Sequence, residues 1–193
     1  KNPVDIPGAR AHSLQPYDAP IGALCVNFNT VYFKTVNGTR VSAEPQTPLL
    51  PAARKRIRQC RDQEGRILLS GKNNENLKYA GELFAHFLAK QGLTPAGKIR
   101  PGRADPEASR LVYRYASPFF LTGVIARLME FSNNFIANQL LIRTGAEIYG
   151  PPGTLGKGVR AIRSYAQSRL GISPEVVEGS GLSRQNRMSA AMF

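Results

Sequence analysis

The spacing of apolar residues changes period along the 193-residue chain. Residues 1–20 are rich in Pro and Gly and read as an extended lead-in. From Leu24 to Phe28 apolar positions alternate, which predicts a strand. Asn37-Gly38 is a strong hairpin signal, and Thr39 to Ala43 can pair back. Arg66 to Ser70 predicts another short strand. A helical period follows: Leu77, Ala80, Leu83, Phe84, Phe87 and Leu88 share one face, with Asn74 as the cap and Gly92 as the stop. Lys98 to Glu107 is a polar loop, and Leu111 to Tyr115 alternates as a strand. After Pro118 the pattern becomes helical. Leu121, Val124, Ile125, Leu128 and Met129 form a stripe up to Phe131. Ser132-Asn133-Asn134 interrupts it and caps a second helix through Ile142. A third helix spans Lys157 to Leu170, with Val159, Ile162 and Tyr165 inward and Gly171 ending it. The expected fold class is α+β, with a boundary near residue 109 where mixed α/β gives way to helices.

Composition narrows the function classes. Hydrophobic residues make up 42% and charged residues 20%, which excludes a wholly disordered chain. No apolar run approaches the ~20 residues needed to span a bilayer. The formal net charge of +13 favours anionic partners. The chain starts at Lys1 without an apolar leader and stops inside a helix-like Ser189-Ala190-Ala191-Met192. That reads as a mature or excised piece.

Local chemistry is sparse. Gly150 to Gly158 looks like a phosphate loop, but Pro151 stands where the first Gly belongs and Gly158 follows Lys157 in place of Ser or Thr. His12 and His86 have no ligand partners at metal spacing. Cys25 and Cys60 leave two readings open, a disulfide or a buried thiol at Cys25. The basic run Arg54 to Arg61 contains no aromatic residue, so a solvated helix face explains it better than nucleic-acid binding. Taken singly, Ser132-Asn133-Asn134 is a helix cap and Glu178-Gly179-Ser180-Gly181 is a turn. Gly179 and Gly181 are expected to adopt backbone angles that other residues resist.

In this order the two segments are more specific. Ser132-Asn133-Asn134 followed one helix later by Glu178-Gly179-Ser180-Gly181-Leu182-Ser183-Arg184-Gln185-Asn186 resembles the class C low-molecular-mass penicillin-binding proteins. These are the D-alanyl-D-alanine carboxypeptidase/endopeptidase family of serine peptidases. Tyr17 to Leu24, Val26 to Asn29, Tyr79 to Leu83 and Pro151-Gly153-Thr154 extend the likeness over nearly the whole chain. The resemblance implies that residues 1–108 are part of an inserted accessory α/β domain. Residues 109–193 would be the helical part of a penicillin-binding domain.

The implied chemistry uses three motifs: Ser-x-x-Lys, Ser-x-Asn and Lys-Thr-Gly. By the resemblance, Ser132 would be the catalytic relay hydroxyl and Asn134 the catalytic positioning amide. Asn133 would be a variant of the commoner Asp, with Gly179, Ser180 and Gly181 shaping the cleft. No Ser in the chain has a Lys three residues later, and Lys34-Thr35-Val36 lacks the Gly of the third motif. Arg143-Thr144-Gly145 lies too close to Ser132, and Gly145 reads better as a helix C-cap. The simplest expectation is therefore the middle of a longer enzyme, inactive alone; a naturally shortened, non-catalytic relative is the second. The parent would cleave peptidoglycan peptides through an acyl-serine, be acylated by β-lactam antibiotics, need no metal or organic cofactor and reside in the periplasm or cell envelope. No nucleic acid is expected as a partner. The competing reading is a non-catalytic cationic module for cell-wall polymer or, less favoured, nucleic acid.

Overall fold

The computed structural model describes residues 6–192 apart from 103, 104 and 106; the side chains of residues 73 and 74 are also outside the description. The chain is α+β. Three strands, β1 (Thr30–Val36), β2 (Thr39–Ser42) and β3 (Glu64–Leu68), form an antiparallel sheet of order β2-β1-β3. Asn37 and Gly38 take φ of 49° and 73°, the paired positive angles of a tight hairpin turn, and set Val36 opposite Thr39. On the other side Val31 faces Ile67.

Alternation along β1 sends Val31 and Phe33 to the same face, both fully buried. Against that face pack α1 (Pro51–Ile57) and α2 (Asn73–Lys90), which contribute Ala53, Ile57, Tyr79 and Leu83 to one core with Ile67 and Leu69. Each of the large apolar side chains, Val31, Phe33, Ile57, Ile67, Leu69 and Leu83, contributes about 1.5–3 kcal/mol. On the opposite face Glu44 pairs with Arg66, whose guanidinium also sits 5.5 Å from the Tyr32 ring centre.

The second layer is helical. α3 (Leu121–Phe131), α4 (Asn134–Tyr149) and α5 (Leu155–Tyr165) follow, and α5 continues into a wider turn over Ala166–Leu170. α4 and α5 cross closely. A Cβ on Gly145 would lie 2.3 Å from the Gly158 nitrogen, and one on Gly158 would lie 2.4 Å from the Leu141 carbonyl oxygen. Only glycine permits that approach. Gly145 is therefore a packing residue inside α4, not the C-cap expected of it; α4 runs past Ile142 to Tyr149, with Gly150 at its end.

Other expectations give way for physical reasons. The segment from Leu24 to Phe28 is not a strand: Asn27, Phe28 and Asn29 take φ of 46°, 60° and 55° in a single turn, which breaks extended structure. The Asn29 amide donates to the Pro20 carbonyl at 2.8 Å and holds this turn in place. Leu111 to Tyr115 alternates but has no strand beside it among the described residues, so no ladder forms and the segment is exposed. In α5 the small residues Gly158 and Ala161 face inward, while Ile162 and Tyr165 are exposed. On α2, Phe84 is exposed, and the residue at the N-cap is Lys72, not Asn74. α3 buries none of its side chains; Leu121, Ile125, Met129 and Phe131 are exposed. No described helix is long and apolar enough to cross a membrane.

Cys25 and Cys60 are both free thiols. Cys25 is half-buried beside Gly22 and Gln139, and burial pushes its pKa up; Cys60 belongs to the sheet–helix core. No described group of three or more His, Cys, Asp or Glu side chains is placed to hold a metal ion.

Candidate active site

The junction between α3 and α4 starts from backbone geometry. Ser132 closes α3 in the left-handed region (φ 50°, ψ 57°), with its amide bonded to the Leu128 carbonyl at 2.8 Å. A serine held there stores about 1–3 kcal/mol, and such residues cluster at functional sites. The kink exposes Ser132 at the start of α4. Asn133 is the N-cap: its Oδ1 accepts the Ile136 amide at 3.0 Å. Asn134 opens α4 and extends its amide towards the Tyr17 carbonyl at 3.5 Å. Gln139, on the same helix, donates to the Gly22 carbonyl at 2.8 Å, and Phe28 meets Phe135 edge-on at 5.7 Å. The N-terminal segment is thus seated on the first turns of α4.

The 178–186 loop docks on the same helix. Glu178 is buried at 1% exposure, and its carboxylate gathers the loop around itself. Oε2 accepts from the Ser180 hydroxyl at 2.6 Å, the Ser180 amide at 2.7 Å and Asn138 Nδ2 at 3.0 Å. Oε1 accepts from Asn186 Nδ2 at 2.5 Å and the Ser183 amide at 3.3 Å. Burial on its own raises the carboxyl pKa, but the Ser180 hydroxyl and amide, Asn138 and the Ser183 amide outweigh it, and the pKa falls below the usual 4.5. Asn138, also buried, completes the bridge by accepting the Gly179 amide at 2.8 Å.

Gly179 is required for room, not for its backbone angle. A Cβ there would stand 3.0 Å from the Ala137 carbonyl oxygen and 3.1 Å from Leu141 Cβ. Gly181 does take a positive φ, 79°, as expected. The structure therefore puts Ser132, Asn133 and Asn134 on the α3–α4 junction, and seats the loop that carries Gly179, Ser180 and Gly181 on the same helix at Ala137, Asn138 and Leu141. Ser180 points its hydroxyl at Glu178 and serves the loop.

Glu178 and Asn138 hold the two segments together, Asn186 closes the loop on Glu178, and none of the three was among the expected site residues. The available signal for Asn138 was an amide four residues after Asn134 and one turn before Leu141, on a face that has to be buried. Beside this junction lies a cleft of about 630 Å³, lined by Pro7, Arg10, Tyr17, Asp18, Leu182 and Arg184 among others.

The chain matches a family of serine peptidases of the penicillin-binding-protein-like kind. The family model for the D-Ala-D-Ala carboxypeptidase 3 (S13) family matches residues 68–193, well over half of the chain, and the protein belongs to that family. The match includes both segments of the site.

Proposed function

We propose that the chain is the middle portion of a class C penicillin-binding protein, a D-alanyl-D-alanine carboxypeptidase/endopeptidase acting on peptidoglycan peptides in the periplasm or cell envelope. Residues 1–108 belong to the inserted accessory domain and residues 109–193 to the helical part of the catalytic domain. The observation that carries the reading is the docking of the Glu178–Asn186 loop, through Asn138 and Gly179, onto the helix that Ser132 and Asn134 open.

In this reading a nucleophilic Ser-x-x-Lys and a Lys-Thr-Gly come from outside these 193 residues, which contain neither. The nucleophilic serine attacks the carbonyl of the penultimate D-alanine. An acyl-serine forms, the terminal D-alanine leaves, and water then releases the enzyme. Ser132 passes the proton to the departing amine. Asn134 holds the substrate backbone, and the 179–181 loop shapes the cleft. β-Lactams acylate the same nucleophile.

A fluorescent penicillin tests this. It should label the longer parent and leave the 193-residue chain unlabelled; covalent labelling of the isolated chain would overturn the placement of the nucleophile. In the parent, Ser132→Ala and Asn134→Ala should each slow acylation about 10²–10⁴-fold, the usual weight of a positioned proton-transfer group, with thermal melting unchanged. Unchanged acylation would remove both residues from the site.

A further inference from the structure

A second concavity, of about 930 Å³, lies between the N-terminal segment and the layer of α1, β3 and α2. That volume is within the range of built ligand sites, about 300–1,000 Å³. Arg10 and Asp18 line both this groove and the 630 Å³ cleft, so the two share a wall.

The groove carries charge of both signs in different places. Arg10, Lys55, Lys72 and Lys78 are exposed cations on its lining. Lys78 stands 3.7 Å from Glu82, a loose pair. Arg56 is already committed to the carbonyls of Ser13 and Leu68. Asp18 is buried at 7% exposure, and its Oδ1 accepts the Arg10 amide at 3.1 Å. Its Oδ2 is buried and meets no donor among the described residues, and the same holds for Oε2 of Glu82. A buried carboxylate oxygen without a donor is costly, so each calls for an N–H or O–H from elsewhere.

Those orphaned oxygens select among anionic partners. A phosphodiester backbone offers acceptors to the cations and no donor to the two carboxylates. A peptide with free carboxyl groups offers acids to the lysines and amide N–H donors to Asp18 and Glu82. We propose that this groove is an exosite for a carboxylate-bearing stem peptide of peptidoglycan, continuous across Asp18 with the cleft beside Asn134. The proposal rests on the peptidoglycan reading above and adds a binding surface distant from the acylation chemistry.

Co-sedimentation of the whole chain with insoluble peptidoglycan sacculi tests it. The double variant Lys55→Glu/Lys72→Glu inverts two exposed cations and should cut the bound fraction about tenfold or more at low salt. Arg110→Glu/Arg114→Glu makes the same charge change on exposed residues outside the groove and should bind like the native chain. Sacculi whose carboxyl groups have been converted to amides should be released. Asp18→Asn should weaken retention on sacculi without weakening retention on double-stranded DNA. Equal losses in both double variants, undiminished binding to amidated sacculi, or tighter binding to DNA than to sacculi at equal salt would overturn the proposal. Penicillin labelling of the parent separates this from the functional reading. Parent carrying Lys55→Glu/Lys72→Glu should still be acylated, whereas an unlabelled native parent that still binds sacculi would sink the functional reading alone.

Discussion

Replacing Glu178 by Gln keeps the shape of the buried side chain and removes its charge. The native carboxylate accepts five hydrogen bonds, three on Oε2 and two on Oε1. A glutamine has one oxygen, so at least two donors lose their acceptor and face an amide N–H instead. At about 1.5 kcal/mol for each orphaned donor, the loss is about 3 kcal/mol or more, a large share of the 5–15 kcal/mol typical of a domain. The effect depends on pH in a defined direction. The folded chain holds the Glu178 pKa below the usual 4.5 despite burial, because the Ser180, Asn138 and Ser183 donors favour the charged form. Its contribution is complete above that usual value. It is lost as pH falls through the lowered native value, where the unfolded chain already carries the proton. Urea unfolding of native and Glu178→Gln chains at about pH 7 and about pH 3 measures the gap at each pH. Other titrating groups, Glu44 beside Arg66 among them, are common to both chains and cancel. The gap should be about 3 kcal/mol at neutral pH and narrow clearly in acid. A neutral-pH gap below about 0.5 kcal/mol, or one unchanged in acid, would refute the claim that this carboxylate organises the loop.

Two further outcomes test the packing. Gly158→Ala places a Cβ 2.4 Å from the Leu141 carbonyl oxygen and should destabilise the chain by about 1–3 kcal/mol or more in urea. Gly156→Ala, on the same helix with open space around it, should be neutral or up to about 1 kcal/mol stabilising, and a loss as large as that of Gly158→Ala would refute the close-crossing argument. Burial pushes the Tyr79 pKa up to about 12 while its hydroxyl donates to the Pro48 carbonyl at 3.1 Å. Stability should therefore fall between pH 10, where an unfolded tyrosine ionises, and about 12. Tyr79→Phe should flatten that decline, as followed by thermal melting against pH.

Elements governed by local chemistry were legible before the fold was known. Asn37-Gly38 encodes its turn in two residues, Asn133 caps with its own side chain, and Gly171 stops a helix through a positive φ of 67°. The α2 helix announced itself by period, although Phe84 shows that a stripe read from spacing is wider than the face the sheet covers. What failed depended on partners far along the chain. The alternation at Leu111 to Tyr115 is a strand pattern that lacks a neighbour, and the turn at Asn27 to Asn29 is held by a carbonyl of Pro20. Gly145 could be read as an end only because Gly158, thirteen residues on, was not yet known to press against it. The site shows the same division. Ser132, Asn134 and the Gly179-Ser180-Gly181 turn were identifiable as segments, each with an ordinary local role. The docking of that turn on the helix rests on Glu178 and Asn138, two buried polar residues forty positions apart that satisfy each other. Either would be costly to bury alone, so each is evidence for the other, and a polar residue on a face that must be buried marks where a distant segment docks.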